Sequence, residues 1–298
     1  MNLSGNSTDG AALRVRKVFA SQRAAFEADP YPLAERRREK IKALKRQISR
    51  YQDVLADAMS TDFGFRAPAE SKMLDLLGSM LEADHAIAHL KSWMKPSRRA
   101  TELLFLTNSL AVTYQPKGVV GVIVPWNRHC ARVSGLLADA REKGATVVPC
   151  ADYDVSRNSR QMPLHIVTDC TSEMRIMNEE LFGPILPVVP YDSLEDAIRF
   201  VNAGDRPLAM YCFSHDAAER NSLLRRTHAG GVTVNDWGWH VVNHDAPFGG
   251  VGNSGMGTYH GVEGFRELSH AKTVFKRHRF FPIGLFYPPY GNLASGCR

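Results

Sequence analysis

The stretch that decides the reading is Pro116-Lys117-Gly118-Val119-Val120-Gly121-Val122-Ile123-Val124-Pro125-Trp126-Asn127, followed at once by Arg128-His129-Cys130-Ala131-Arg132-Val133-Ser134-Gly135-Leu136-Leu137. Gly118 to Val124 carries no polar side chain on either face, the pattern of a strand covered on both sides within a parallel sheet. It ends at Pro125, which has no N–H to give to a ladder. A second strand is predicted just before it, from Leu110 to Gln115, and a helix after it, over about 129–142, stopping near Gly144. Ala145 to Val148 then reads as a strand. A helix from Ser193 has a capping box with Asp196 and buries Leu194, Ala197, Ile198 and Val201. Pro207 to Ser214 is a strand, Asp216 caps a helix closing at Gly230, and Gly231 to Asn235 is again a strand. This alternation predicts an α/β protein.

Upstream, residues 1 to about 10 are rich in Ser, Gly, Asn and Asp, and composition predicts disorder. Helices are expected over about 12–28, 32–60 and 67–94, closed by Pro30, by Asp62-Phe63-Gly64 and by Pro96. Downstream, Arg277 to Arg298 holds Pro282, Pro288 and Pro289 and reads as an extended tail.

The chain of 298 residues is 44% hydrophobic and 23% charged, enough to bury a core. No apolar run is long enough to span a bilayer, and the start, Met1-Asn2-Leu3-Ser4-Gly5, is unlike a signal peptide. The expectation is a cytoplasmic protein with no membrane partner. Five scattered cysteines without CxxC spacing argue against a disulfide framework or a structural zinc site. The net charge of +6 comes mainly from the run Glu35 to Arg50. That run also carries Ile41, Leu44, Ile48, Tyr51, Leu55 and Met59 at helical spacing. Its charges are therefore read as a solvated helix face, and no nucleic-acid partner is expected.

Three motifs in order carry a resemblance. Pro116 to Asn127 resembles the strand and PWN turn leading to the active site of aldehyde dehydrogenases. Glu179-Glu180-Leu181-Phe182-Gly183-Pro184 resembles their EExFGP motif, and Pro247-Phe248-Gly249-Gly250-Val251-Gly252-Asn253-Ser254-Gly255-Met256-Gly257 their late glycine-rich segment. Tyr259-His260-Gly261, Ser269-His270-Ala271-Lys272 and Tyr287-Pro288-Pro289-Tyr290-Gly291 point to the class 3-like branch that holds coniferyl aldehyde dehydrogenases. The fold implied is α/β and aldehyde dehydrogenase-like, but incomplete. After the PWN turn the family continues with a Rossmann unit, an ELGG-like glutamate and a GQxC-type nucleophile loop. Here the residues after Asn127 resemble a helix that the family places well beyond that loop. A large internal deletion is the simplest reading. The resemblance then implies three parts: 1–127, the N-terminal helices and the start of a cofactor-binding domain; 128–256, the later part of the catalytic domain; and 257–298, an oligomerisation segment and tail.

Aldehyde oxidation needs a thiolate nucleophile, oxyanion donors, a hydride acceptor and a base for deacylation. By resemblance Asn127 is the counterpart of an oxyanion donor, though without a nucleophile it reads as a turn residue. Trp126, Glu180 and Phe182 fall at cofactor-binding positions, Glu180 toward the nicotinamide ribose and Phe182 beside the nicotinamide. The cofactor implied is NAD or NADP, with binding in doubt because the pyrophosphate and adenosine halves of the site belong to the missing part. Phe248, Trp237 and His240 are candidates for contact with an aromatic aldehyde substrate, and ordinary burial is the alternative. Gly250, Gly252 and Gly255 match GxGxxG by letter, yet no strand precedes them and no acidic residue follows at the required distance.

Cys130 has basic neighbours that lower a thiol pKa, but it stands on the segment resembling a peripheral helix and is read as incidental. Cys150, Cys170 and Cys212 read as small buried hydrophobes. His85 and His89 have helical metal-pair spacing without a third ligand in sequence, so no metal site is expected. Three functional readings stand: an NAD(P)-dependent aldehyde dehydrogenase, a non-catalytic self-associating remnant of one, and the product of a decayed or mis-joined gene.

Overall fold

A computed structural model of the protein describes residues 5–64, 66–122, 130–151 and 162–279. The helices in chain order are α1 (Gly5–Ala28), α2 (Ala34–Arg50), α3 (Gln52–Phe63), α4 (Pro68–Ser71), α5 (Gly78–Trp93), α6 (Cys130–Glu142), α7 (Leu194–Ala203), α8 (Ala217–Arg226) and α9 (Gly261–Glu267). The strands are β1 (Ser97–Arg99), β2 (Ser109–Pro116), β3 (Thr146–Pro149), β4 (His165–Thr168), β5 (Ile185–Pro187), β6 (Ala209–Cys212), β7 (Gly231–Val234) and β8 (Ser269–Lys276).

The N-terminal part is helical, as the periodicity predicts, with three corrections. Helix α1 begins at Gly5, within the stretch whose composition suggested disorder. Extending an existing helix by a turn costs far less than nucleating one, so polar residues are carried into it. The helix expected over 32–60 is divided at Tyr51, whose backbone (φ −102°, ψ 13°) leaves the helical region. The helix expected over 67–94 contains a π-helical turn at Lys72–Leu77. Gly64 closes α3 in the left-handed conformation (φ 85°), which glycine adopts without steric cost.

Helix α2 lies on α5. Arg38 donates to the Ile87 carbonyl at 2.9 Å, and Lys45 meets Asp84 at 2.5 Å. Ile41 and Ile48 are half-buried, while Leu44 of the same predicted stripe is exposed. Arg36 pairs with Asp29 at 2.6 Å and Lys42 with Glu39 at 2.8 Å, so part of the basic run is neutralised locally.

The strands form three separate sheets, ordered β1-β2-β8, β3-β4-β5 and β6-β7. The first is antiparallel, with β2 and β8 in continuous register from Ser109↔Lys276 to Pro116↔Ser269. In the second, β3 runs antiparallel and β5 parallel to β4. Helix α6 covers this sheet. Leu136 and Ala140 are fully buried, and they pack with Val133, Leu137, Ala145, Val167, Met174, Ile176 and Ile185 in one apolar cluster. Each large aliphatic group there contributes about 1.5–3 kcal/mol by leaving water. The third sheet is a parallel β6–α8–β7 unit. Its helix is capped by Asp216, which accepts from the N–H groups of Ala218 and Glu219, and Ser193 caps α7 by accepting from Asp196.

The predicted strand over Gly118 to Val124 is not present where it is described. Gly118 to Val122 is irregular, and Val122 is 82% exposed. The last ladder-like bond runs from Lys117 N–H to the Leu268 carbonyl at 3.1 Å. A strand is made by its neighbours, and beyond Lys117 no described residue pairs with this segment. Ile123 and Val124, and the tail beyond Arg279, lie outside the described residues. Cys150 corrects a second expectation, since it is exposed, whereas Cys212 is buried and Cys170 half-buried.

Leu136→Ala is expected to lower unfolding stability in urea by about 2–5 kcal/mol, as for a large-to-small change in a packed core. Val122→Ala should stay within about 0.5 kcal/mol of the parent. Comparable losses at both positions would mean that Val122 belongs to a core.

Candidate functional site

Of the residues singled out by sequence, Trp126 and Asn127 lie outside the described residues, as does the side chain of Cys130. Glu180 and Phe182 are described, on the loop between Met177 and β5. Helix α6 holds that loop from behind. Arg132 donates to the carbonyls of Glu180 and Leu181 at 2.9 and 2.6 Å. Gly183 comes so near that an added Cβ would lie 2.8 Å from the Val133 side chain. Glu179 is engaged by Arg175 at 2.7 Å, and that donated hydrogen bond holds its carboxyl below the usual carboxylate range. Glu180 is exposed, and Phe182, at φ 43°, presents a ring that is 64% exposed. The loop is held by α6, but the Glu180 and Phe182 side chains stand in water.

His240 and Phe248 are brought together, with ring centroids 5.8 Å apart. His240 sits on the end of β7, its Nδ1 2.6 Å from Thr233 Oγ1 and its ring tight over Gly231. Phe248 meets Tyr259 edge-on at 5.6 Å, and the two exchange backbone hydrogen bonds. Burial raises the Tyr259 hydroxyl pKa, with a further contribution from the Glu82 charge. Trp237 is 72% exposed and shows no ring contact with this pair. So two of the three aromatic-contact candidates form one cluster, and the third stands apart.

The glycine-rich segment is a closed turn. A Cβ on Gly250 would lie 2.1 Å from the Ser254 carbonyl oxygen, and one on Gly249 would lie 2.1 Å from that of Gly257. Only a 3-10 turn, Gly252–Ser254, follows, so the segment offers no helix N-terminus to a pyrophosphate. The letter match to a dinucleotide fingerprint is thereby explained as backbone crowding.

A constellation the sequence did not reveal joins α5 to the segment before α9. Glu82 Oε2 lies 2.7 Å from both His260 Nδ1 and His244 Nδ1. The ligand atoms of these three residues lie within 4.8 Å of one another. His260 is buried and has φ 71° with ψ 153°, a conformation almost reserved for glycine. His85, three residues after Glu82, has a buried Nε2 without a hydrogen-bond partner, 3.4 Å from Asp245. The visible spacing was that of His85 and His89, yet His89 is exposed and turns Nδ1 to the His85 carbonyl at 2.9 Å.

The aldehyde dehydrogenase family model matches residues 4–131 and 128–274, so the chain belongs to that family. A probable coniferyl aldehyde dehydrogenase of Pseudomonas aeruginosa is 29% identical over 451 aligned residues, spanning 94% of each chain. With 298 residues in all, this chain fills such a span only with a large internal gap. The two family matches overlap at residues 128–131, consistent with a gap beside Asn127. A probable coniferyl aldehyde dehydrogenase of Caulobacter vibrioides is 48% identical over 170 residues, 55% of this chain and 35% of that one. The chain thus matches about a third of the length of this second relative. An indole-3-acetaldehyde dehydrogenase variant of P. syringae, solved with NAD+, has a TM-score of 0.76 at 13% identity, covering 90% of this chain and 89% of that one. At that identity the likeness is one of fold.

Gly250→Ala must displace the Ser254 carbonyl and is expected to cost about 1–3 kcal/mol. Gly121→Ala, built into open space, should be neutral within about 0.5 kcal/mol. Equal stability of the two variants, measured by thermal melting, would remove the closed-turn account.

Proposed function

We propose that this chain descends from an NAD(P)-dependent dehydrogenase of coniferyl-type aromatic aldehydes and no longer catalyses that oxidation. The observation that carries the reading is the junction itself. Asn127 is followed within three residues by α6, and the two family matches meet there. No GQxC-type loop and no ELGG-like glutamate occurs anywhere in the sequence. Without a thiolate there is no covalent thiohemiacetal from which hydride can leave. Without the glutamate there is no base to draw a water onto an acyl-enzyme. Asn127, Trp126, Glu180, Phe182, Trp237, His240 and Phe248 are in this reading inherited positions, the first four vestigial. The closed Gly249–Gly257 turn and the solvent-facing Glu180 and Phe182 support the further proposal that neither NAD nor NADP is held. Most dinucleotide affinity resides in the phosphate-binding turn and helix.

What remains to such a chain is association. Among the described residues strand β8 pairs only with β2 and leaves its other edge open, and its residues are mostly exposed. Open edges pair with other chains. We propose self-association through this sheet, in the cytoplasm, with neither a nucleic acid nor a membrane as partner. The second reading, a decayed or mis-joined gene product, shares the inactivity but assigns no purpose to the association.

With saturating coniferyl aldehyde and NAD, purified protein should form no NADH above the no-enzyme background, and calorimetry should detect no NAD binding at micromolar concentration. Turnover that Cys130→Ala abolishes would overturn the inactive reading and make that thiol the nucleophile.

A further inference from the structure

We propose that Glu82, His244 and His260 bind one divalent transition-metal ion of the zinc class, clipping α5 to the C-terminal segment that carries the two histidines. The argument begins with His260. Its Nε2 lies 3.1 Å from the Val241 carbonyl, which can only accept, so Nε2 carries the hydrogen. In neutral imidazole that leaves a lone pair on Nδ1, directed at Glu82 Oε2 only 2.7 Å away. His244 Nδ1 lies at the same distance from the same oxygen, is buried, and has no hydrogen-bond partner. Two imidazole nitrogens and a carboxylate oxygen thus lie within 4.8 Å of one another. A proton on His260 bridges one of these contacts, whereas His244 Nδ1, as near to the same oxygen, makes no aligned hydrogen bond to it. A divalent cation satisfies all three.

The donor set is also chemically suited to such an ion. Two imidazoles and a carboxylate form a His2Glu set, which zinc accepts with a fourth position open. The bond from His260 Nε2–H to a backbone carbonyl is the outer contact that orients a metal-ligating histidine. Metal–ligand bonds of about 2.0–2.2 Å at tetrahedral angles put donor atoms roughly 3.4 Å apart, so the two 2.7 Å contacts must open. Glu82 is 35% and His244 23% exposed, which leaves both room to move. His260, held by its buried ring and strained backbone, is the fixed ligand. His85 follows Glu82 at the i, i+3 spacing, with its ring 6.4 Å from that of His244, and is the nearest further donor.

The site is independent of the family's chemistry and of the proposed loss of activity. It is tested on the full chain, dialysed against a chelator, with Zn2+ alone as ligand. Calorimetry should find one ion per chain at micromolar affinity or tighter, and Zn2+ should raise the thermal midpoint. Glu82→Gln and His244→Ala should each weaken binding by more than the roughly 10–100-fold that loss of an outer-shell partner costs. The exposed control His215→Ala should leave it unchanged. Co2+ bound to the parent chain should show ligand-field absorption without a thiolate charge-transfer band, a readout that does not depend on any variant folding. Binding at other stoichiometry, binding unaffected by both substitutions, or a thiolate band would each overturn the proposal. So would a thermal midpoint that responds to protons but not to Zn2+.

Discussion

The eight-residue antiparallel ladder between Ser109–Pro116 and Ser269–Lys276 is the contact on which the rest of this structure depends. It unites chain from both sides of the junction after Asn127, and it sets where the helical N-terminal part meets the α/β part. Around it, Lys117 N–H reaches the Leu268 carbonyl, Tyr114 is buried with its ring edge-on to Phe265, and α9 lies against α5. The Glu82–His260 contact extends the same seam. Backbone hydrogen bonds in register are local in energy but exact in geometry, so this ladder positions the N-terminal helices without needing the segment that the chain lacks.

The missing segment has its effect on what is left uncovered. In an ordinary doubly wound protein one continuous sheet has helices on both faces. Here, among the described residues, three small sheets of three, three and two strands stand apart, and the α6-covered core packs on the second. Val122, Phe182, Phe200 and Phe213 are each more than half exposed. Since a whole domain is stable by only about 5–15 kcal/mol, uncovered apolar groups worth about 1.5–3 kcal/mol each are a serious loss.

Sequence was most legible where the determinants are local. Ser193 and Asp216 cap their helices as their positions indicate, since a cap needs only the first turn. The helix after the junction and the strand at Ser109–Pro116 also lie where pattern places them. It was least legible where the outcome depends on distant chain. The apolar run at Gly118 to Val122 carries the signature of a buried strand, but burial is conferred by neighbours, and no described strand pairs with it. Leu44 and Cys150 look like core residues and are exposed. The Glu82, His244 and His260 cluster was illegible because its members are far apart in sequence and meet only through the fold. Of the three residues proposed from sequence for aromatic contact, His240 and Phe248 meet ring to ring, whereas Trp237 is exposed.

The central claim is that two parts of an aldehyde dehydrogenase are docked edge to edge, with the surface once covered by the middle left bare. Sedimentation velocity across a range of protein concentration, read beside binding of an apolar-surface dye, tests this most directly. The account predicts mass that grows with concentration, strong dye binding in the native state and a broad thermal transition. A single monomeric species with a sharp cooperative melt and no dye binding would contradict it, because the two parts would then have closed into a new compact core.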